Sequence, residues 1–423
     1  MKVLHLIQNY HPSVGGSQHL FKNLSERLVA DHGDEVTVFT SDALRSPHAR
    51  DPGRVAVREE WVRGVRVRRF RFSRAVVKAS WFLLRSTRWA PRGFRQYLGS
   101  LRLGPVSAGM LWAVIQSDAD VIAGTALPYA HMYYPWIAQA LGRGRPFVCY
   151  GALHIVDGTV EAPALALAKR ADAYVAYTRF ERDVLVAHGV AAEKIEVIGP
   201  GVDLESFTSI DGEAVKASLG IEGDLLVGFI GRFAPYKGID TLLDAMRNVW
   251  TEFPEARLLL AGSGDSEFVR ACLADLPATC QTRVVFISDF DENDKPGLFA
   301  ACDVVVTVSS QESFGIVYLE AWAAGKPVIG GRIGAVASVI TEGVDGLLVT
   351  CGDAAELAAA LSRLLGDDAL RKRLGSAGRE KVADAHTWRG ITTKLRSIYE
   401  RLVDDRLTPS PDLAAPIRMG VRN

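Results

Sequence analysis

Residues 303–327, DVVVTVSSQESFGIVYLEAWAAGKP, combine an apolar strand, a short polar loop and an apolar helix. The strand, 304–308, consists almost entirely of valine, which is typical of a strand buried on both faces of a parallel sheet. The helix begins near Gly315, and Gly325 and Pro327 end it. Because the N–H groups at a helix N-terminus attract anions, this unit predicts a phosphate site at the carboxyl edge of a parallel sheet.

Two glutamates lie eight residues apart in this stretch. Glu320 falls on the helix among apolar residues, where a carboxylate is costly to bury without a partner. A structural hydrogen bond or a surface-facing side chain explains such an acid equally well. Glu312, in the loop before the helix, is by itself compatible with an ordinary solvated acid. The two support a binding site only when taken together.

A second unit, residues 228–238 with the sequence GFIGRFAPYKG, places two cations five residues apart between a strand and a helix. Arg232 donates hydrogen bonds in a fork and Lys237 acts as a point charge, so together they suit a diphosphate without a metal ion. Solvated surface cations are the alternative. The flanking glycines favour the ligand, because they allow the backbone to approach it closely.

The third unit is PSVGGS, residues 12–17, which follows the first predicted strand. Gly15 and Gly16 allow the backbone to approach a phosphate or a sugar. A turn of this kind often only joins a strand to a helix, so the pattern is weak by itself.

Apolar runs alternate with helical patterns along most of the 423 residues. In the first half the predicted strands are 3–7, 36–40, 65–72, 121–124, 147–151, 173–177 and 195–198. In the second half they are 225–230, 257–261, 284–287, 304–308, 327–330 and 347–349. Strands that alternate with helices in this way form parallel sheets covered on both faces.

The chain is too long for one ordinary core. We therefore expect an α/β protein of two doubly wound, Rossmann-like domains that face each other across a cleft. The first takes residues 1–203 and the second 204–385. Residues 386–404 form a last helix that packs back on the first domain, and 405–423 form a tail.

Composition excludes several classes of protein. Lys plus Arg and Asp plus Glu are 49 each, so no overall field favours nucleic acid. The five cysteines show no metal-binding spacing and indicate reduced thiols. No apolar run is long enough to span a membrane, and the apolar run at the N-terminus is too short for a signal peptide. We therefore expect a cytoplasmic protein.

These units together resemble the family 4 glycosyltransferases of the GT-B fold. The resemblance covers most of the chain and rests on five features. They are the Gly15–Gly16 opening, Arg232 and Lys237 beside glycines, the E-x7-E pair Glu312 and Glu320, IEVIGPGVD at 195–203, and GVDGLLV at 343–349. The E-x7-E pair in its ESFG setting is the most specific of these features.

The resemblance implies a retaining enzyme that takes a sugar from a nucleotide-sugar donor. Arg232 and Lys237 would hold the diphosphate, Glu312 the sugar hydroxyls and Glu320 the ribose hydroxyls. The backbone N–H groups of Phe314, Gly315 and Ile316 would meet the phosphates. Gly15 and Gly16 would approach the phosphate or acceptor, and His154 would lie near the reacting sugar. No cofactor is implied, because the donor is a substrate.

The sequence departs from the family at residues 334–338, GAVAS, where a Gly-Gly-x-Pro-Glu segment is usual. Proline and glutamate are both missing here, so the resemblance implies no contact of this loop with the sugar. Two D-x-D patterns, at 118–120 and 289–291, hold a metal in other glycosyltransferases. We interpret both as structural, since two cations already serve the diphosphate.

A basic stretch, residues 54–102, carries thirteen arginines and one lysine against two glutamates, a net charge of +12. Interleaved aromatic residues favour binding to an anionic membrane surface. A solvated basic face or a patch for an anionic acceptor is the alternative. Within 65–72, a phase slip at Arg68 and Arg69 predicts a β-bulge.

Three hypotheses follow. The first is transfer from a UDP- or GDP-sugar to a lipid-linked or saccharide acceptor at the inner membrane face, in cell-surface glycan or glycolipid synthesis. The second is a synthase that acts on a small soluble acceptor. The third is an inactive, transferase-like partner at the membrane surface.

Overall fold

The computed structural model describes residues 1–13, 15–45, 52–73, 100–101, 104–153, 155, 158–221 and 223–407. Within these ranges the chain forms two sheets, one parallel and one parallel except at one edge, and each is flanked by helices. The predicted α/β architecture of two doubly wound domains is confirmed.

The first sheet has eight strands in the order β3-β4-β2-β1-β5-β6-β7-β8. Its strands are β1 Lys2–Leu6, β2 Glu35–Ser41, β3 Glu59–Val62, β4 Val65–Phe70, β5 Val121–Gly124, β6 Phe147–Tyr150, β7 Ala173–Ala176 and β8 Ile195–Val197. All neighbouring pairs are parallel except β3 with β4, which form an antiparallel hairpin at one edge.

The second sheet has six parallel strands in the order β11-β10-β9-β12-β13-β14. They are β9 Leu226–Phe233, β10 Arg257–Gly264, β11 Val284–Ser288, β12 Val304–Thr307, β13 Val328–Gly331 and β14 Gly346–Val349. The valines of β12 are fully buried, as expected for a central strand covered on both faces.

Helices occupy the connections between the strands. Those of the first domain are α1 Gly16–His32, α2 Ala108–Ile115, α3 Tyr134–Ala140, α4 Ala162–Arg170 and α5 Arg179–Ala187. Then follow α6 Gly212–Ser218, α7 Ile239–Glu252, α8 Ser266–Ala274, α9 Ala278–Gln281, α10 Lys295–Ala301, α11 Ile316–Ala323, α12 Gly334–Ala337, α13 Ala354–Gly366, α14 Asp368–Ala385 and α15 Trp388–Leu407.

The last helix, α15, packs on the first domain although it follows the second in the chain. Arg396 Nε lies 3.1 Å from Asp34 Oδ2, and Arg401 pairs with Glu196 at 3.0 Å. The crossing point is held by the Val202 N–H, which donates to the His386 carbonyl at 2.8 Å. The chain therefore crosses from one domain to the other twice, and the two crossing segments lie side by side.

The structure corrects three local predictions. Strand β9 continues through Phe233, because its last residues pair with β10 up to Gly264. The edge strand β3 was not predicted, since EEWV carries too much charge for a buried strand. The register of β4 with both neighbours is unbroken, so the predicted bulge is wrong. Instead, Arg69 turns inward, is 5% exposed, and pairs with Glu60.

Candidate functional site

Strand order places a crevice at the centre of each sheet. In the second sheet the connections diverge between β9 and β12, and in the first between β1 and β5. Such switch points leave a crevice beyond the carboxyl ends of the strands, where α/β proteins bind ligands. Apart from His154, the predicted site residues follow β1, β9 and β12, or lie at the carboxyl end of β9. The sequence motifs therefore converge on the two switch points.

Lys237 and Glu312 are brought into contact across the second switch point. The turn after β9 and the loop after β12 are joined by the Ser310 N–H, which donates to the Tyr236 carbonyl at 2.9 Å. This link sets Lys237 Nζ in a short ion pair with Glu312 Oε1, to which the Ser309 hydroxyl also donates at 3.3 Å. Both side chains keep part of their surface open, at 16% and 12%.

Arg232 lies on the β9 extension, opposite Ser263 of β10, rather than in the turn. Its side chain is exposed, and within the described ranges it makes no ion pair. Lys237 is held by a carboxylate while Arg232 is free. The two predicted diphosphate cations therefore differ in their electrostatic state before a ligand arrives.

The N-terminus of α11 follows the Glu312 loop. Gly315 precedes the helix with φ 91°, and an added Cβ would lie 2.3 Å from the Tyr318 ring, so only glycine fits. The Phe314 ring packs edge-on against His386 at the domain crossing, with 5.5 Å between centroids. Because the first N–H groups of a helix have no intrahelical acceptor, this end offers donors to an anion.

Glu320 lies one helical turn further along α11 and is 8% exposed. Its Oε1 is 2.6 Å from Lys295 Nζ, at the start of α10. Burial raises the pKa of Glu320 and the Lys295 cation opposes this. The sequence analysis missed Lys295, since a lysine in the polar run DENDK has the appearance of a solvated residue. Only the packing of α10 against α11 reveals the pair.

The first domain contributes the glycines before α1. An added Cβ on Gly15 would lie 2.5 Å from the Gln18 side chain, whereas one on Gly16 would have nothing within 4 Å. Gly16 is also exposed. Open space at Gly16 leaves room for a ligand to approach the backbone. His154 lies outside the described residues.

Glu181, on α5, is a buried carboxylate that the sequence analysis did not single out. It accepts hydrogen bonds from the Tyr174 hydroxyl at 2.6 Å and the Tyr177 N–H at 2.8 Å. An added Cβ on Gly151 would lie 2.4 Å from its Oε1, and the next residue, Ala152, has φ 96°. Glu181 therefore fixes the backbone where β6 and β7 end.

Burial raises the pKa of Glu181 to about 7, against the opposing effect of the hydrogen bonds from Tyr174 and from the backbone of Tyr177, Leu153 and Ala152. The desolvation of the carboxylate thus raises its pKa by more than the four hydrogen-bond donors lower it. A small change of pH near neutrality therefore changes the charge of this group.

The altered loop at 334–338 forms the short helix α12 and touches the other domain. An added Cβ on Gly334 would lie 2.3 Å from the Phe180 ring of α5. The segment where the family usually has proline and glutamate therefore makes a close contact between the domains.

The two D-x-D patterns hold local structure. Asp120 accepts from the Lys2 N–H at 2.7 Å, and Asp118 lies 2.5 Å from Lys2 Nζ. Asp291 accepts from the Asn293 N–H at 2.8 Å. Among the residues that the structure describes, no three His, Cys, Asp or Glu side chains cluster in a way that would hold a metal ion.

Two family models match consecutive halves of the chain. Residues 14–206 match the model described as Glycosyltransferase Family 4, and residues 211–381 match Glycosyl transferases group 1. The chain belongs to the family 4 glycosyltransferases. The boundary between the two matches falls at the 3-10 turn Leu204–Phe207, after the first sheet.

Curated relatives include D-inositol 3-phosphate glycosyltransferases. That of Stackebrandtia nassauensis is 35% identical over 56% of this chain and 57% of its own length. That of Mycobacterium bovis is 32% identical over 53% of this chain and 47% of its own. The chain thus spans about half the length of these relatives.

Solved structures with the same fold include HepE of Anabaena in complex with UDP-glucose. It is 21% identical, with a TM-score of 0.72 over 95% of this chain and 100% of that one. Sucrose-phosphate synthase of Thermosynechococcus elongatus is also 21% identical, with a TM-score of 0.72 over 96% and 100%. At this identity the likeness shows the GT-B fold alone.

Proposed function

We propose that the protein transfers a sugar, with retention of configuration, from a nucleoside diphosphate sugar to a lipid-linked or saccharide acceptor. The observation that supports it most is the meeting of Lys237 with Glu312 at the second switch point, beside the exposed Arg232. Together they provide cations for a diphosphate and a carboxylate for sugar hydroxyls in one crevice. HepE, in complex with UDP-glucose, binds such a donor.

The chemistry follows from where charge develops. When the sugar leaves, negative charge grows on the diphosphate, and fixed cations stabilise it without reorganisation. Arg232 and Lys237 take this role, with the N–H groups at the start of α11. To reach the phosphate, Lys237 must exchange its partner Glu312, which frees that carboxylate to accept from a sugar hydroxyl. Leaving-group assistance of this kind fits a front-face displacement and requires no enzyme nucleophile.

The donor is tested by thermal shift with UDP, GDP and ADP. One nucleoside diphosphate is expected to raise the unfolding temperature, because it binds the folded state alone. Donor hydrolysis is then measured for Glu312→Ala and Lys237→Ala, with the exposed Lys372→Ala as control. Loss of turnover in the first two alone supports the proposal. Turnover equal to wild type in both would show that the crevice is not the reactive site.

The lipid-linked acceptor and a role in cell-surface glycan or glycolipid synthesis depend on the basic stretch at 54–102. In its described part, residues 54–73 and 100–101, most arginines form ion pairs with acidic residues. The ion pairs are Arg54–Asp42, Arg63–Glu26, Arg66–Glu59, Arg68–Glu59 and Arg69–Glu60. Trp61 and Trp112 are 67% and 64% exposed, and Arg66 and Trp112 line one groove. Exposed tryptophans suit a membrane interface.

No helix of the described residues has the length and apolarity needed to cross a bilayer. We propose peripheral association with the inner face of the membrane. All five cysteines are unpaired, which suits a reducing compartment. Co-sedimentation with anionic and with zwitterionic vesicles tests the association. Binding to anionic vesicles that weakens with salt and in Trp61→Ala/Trp112→Ala is expected, and no binding at low salt would exclude it.

A small soluble acceptor is the second candidate, favoured by the curated relatives. Their name, D-inositol 3-phosphate glycosyltransferase, identifies a phosphorylated cyclitol as their acceptor. Product analysis with inositol phosphates and with lipid-linked sugars, supplied with the donor found above, distinguishes the two acceptor classes.

A further inference from the structure

Arg69 occupies a position on the buried face of β4. Val65 and Val67 lie on this face and are fully buried, and Arg69 follows them with a side chain that is 1% exposed. By contrast, the side chains of Arg66 and Arg68 are 41% and 37% exposed. The phase slip in the sequence therefore comes from an arginine that takes the place of an apolar residue.

Stability alone is a weak reason for this arginine. A buried ion pair gains little net free energy, because the desolvation of both charges offsets their attraction, and apolar side chains of similar volume often serve as well. The acid that pairs with Arg69 is Glu60, whose side chain is 33% exposed. The neighbouring valines show that apolar residues fit this face of the strand. The arginine must therefore be explained by the other groups that it binds.

The guanidinium of Arg69 also binds the backbone of the loop after β1. One terminal nitrogen donates to the His11 carbonyl at 2.6 Å. The other donates to the Val57 carbonyl at 3.2 Å, two residues before β3. A guanidinium can hold several acceptors in a fixed arrangement, since its N–H groups form a rigid planar fork. Arg69 therefore joins the hairpin at the edge of the first sheet to the loop that leaves β1.

The loop after β1 is held at every second residue. The Asn9 side chain donates to the Ala43 carbonyl at 2.6 Å, and the Ser13 hydroxyl donates to the next carbonyl after it. Between these two residues, the carbonyl of His11 is held by Arg69. The three attachments continue to within two residues of the glycines at the start of α1. The loop therefore presents those glycines to the cleft from a fixed position.

We propose that Arg69 is a positioning residue, which sets the place of Gly15 and Gly16 in the cleft by holding the loop after β1. This inference rests on the proposed function. The backbone at Gly16 is open to a ligand, since an added Cβ would have nothing within 4 Å. Such an approach helps only at the right distance, and a misplacement of about 1 Å can cost a large part of the rate. Arg69 itself touches no substrate and acts through the glycines.

Arg69→Met tests the inference by removing the bond to the His11 carbonyl. Sugar transfer is measured on the full chain, well below the unfolding temperature, with the donor and acceptor found by the experiments above. We expect kcat/KM to fall about 10-fold, because the glycines are no longer held in place.

The matched control is Arg257→Met, at the first residue of β10. Arg257 also binds one carboxylate and one carbonyl, those of Asp224 at 2.7 Å and of Thr282 at 3.1 Å. It lies at the amino end of its strand, away from the crevice beyond the carboxyl ends. Its kcat/KM should therefore stay within about 2-fold of the wild type.

A second measurement asks whether Arg69 acts through the glycines. Gly16→Ala is expected to raise KM about 5-fold in the wild-type background. Once Arg69→Met has released the loop, the same substitution should raise KM less than about 2-fold, because residues that act as one unit are not additive. A change that only lowered stability would leave the two effects additive.

A double variant covers the case in which Arg69→Met does not fold. Arg69→Met/Glu60→Met replaces both charges by apolar side chains, so no charge is left without its partner. It also lacks the bond to the His11 carbonyl. It should therefore show the same fall in kcat/KM and the same reduced effect of Gly16→Ala.

Two results would overturn the inference. One is a folded Arg69→Met, or the double variant in its place, whose kcat/KM lies within about 3-fold of the wild type. The other is an effect of Gly16→Ala on KM that is equal in both backgrounds. In either case the proposed function stands as long as the wild type transfers sugar, and only this inference fails. A wild type that transfers no sugar defeats the proposed function and the inference with it.

Discussion

The two domains present different chemistry to the cleft. The second domain offers side-chain charges, with Arg232 free and with lysines paired to Glu312 and Glu320. The first domain offers backbone shape, through Gly16 and a loop fixed by the buried Glu181. Each domain places these groups beyond the carboxyl ends of its strands. Under the proposed function, the second domain would select and activate the donor, while the first would set the geometry in which the acceptor meets it.

The largest effect should come from removing a free charge of the second domain. Arg232→Ala is expected to lower the transfer rate by about 10²- to 10³-fold, because a fixed donor to developing charge is lost. The unfolding temperature should not change, since the side chain is exposed. Steady-state kinetics and thermal unfolding check both. A fall of less than 3-fold would mean that Arg232 does not act on the leaving group.

The buried acid of the first domain should affect stability rather than rate. The pKa of Glu181 is about 7 in the folded protein against a usual 4.5. Between these pH values the folded state binds more protons than the unfolded state. The contribution of Glu181 to the free energy of unfolding therefore falls as pH rises from about 4.5 to about 7. Over this pH range, its contribution to the free energy of unfolding changes by about 3 kcal/mol.

This effect is measured as the difference in unfolding temperature between wild type and Glu181→Gln from pH 5 to 8. Glutamine stays neutral, so the advantage of the wild type should shrink as pH rises and level off above about pH 7.5. The exposed Glu193→Gln should give curves parallel to the wild type. A pH-independent difference for Glu181→Gln would contradict the assignment of this group as a titrating buried acid.

Contact between the domains is tested at Gly334. Gly334→Ala places a methyl group 2.3 Å from the Phe180 ring, and overpacking of this kind typically costs about 1–3 kcal/mol. We expect kcat/KM to fall about 10-fold because the domains are wedged apart. Adding Phe180→Ala should restore it. Gly366→Ala, whose new methyl group would meet Phe253 at 3.6 Å, serves as control.

The smallest effect should come from Gly16. Gly16→Ala adds a methyl group with nothing within 4 Å, so folding should be unaffected. If a ligand approaches this backbone, the methyl group should keep it away and raise its KM about 5-fold. This corresponds to a loss of about 1 kcal/mol of binding free energy, which is typical of one imperfect contact. An unchanged KM for donor and acceptor would remove Gly16 from the site.

Much of the fold was predictable because it depends on local patterns. The near-continuous apolar strands and the alternating helices predicted two doubly wound domains, and most strand ends fall within two residues of the structure. The glycines and charges at strand ends predicted where the crevice lies. Errors occurred where a neighbouring strand decides the outcome, as at β3, at the β9 extension and at Arg69.

The candidate site was predictable only in part. Lys237 lies in a stretch rich in glycine, and Glu312 lies in a polar loop before a helix. Both settings are recognisable in the sequence. Those of Lys295 and Glu181 are not, because each lies in a charged stretch that is typical of a solvated helix. Their burial results from α10 packing on α11, and from α5 covering the ends of β6 and β7.

The sequence by itself determined the two parallel sheets, the two crevices and the family. The reason is that strand burial, helix ends and tight turns depend on residues a few positions apart. Tertiary structure decided which charges pair, with Lys295 beside Glu320 and Arg69 turned towards Glu60. It also decided that Gly334 touches Phe180. Such contacts join elements that only packing brings together, and the energy of a charge depends on the partner and the burial found there.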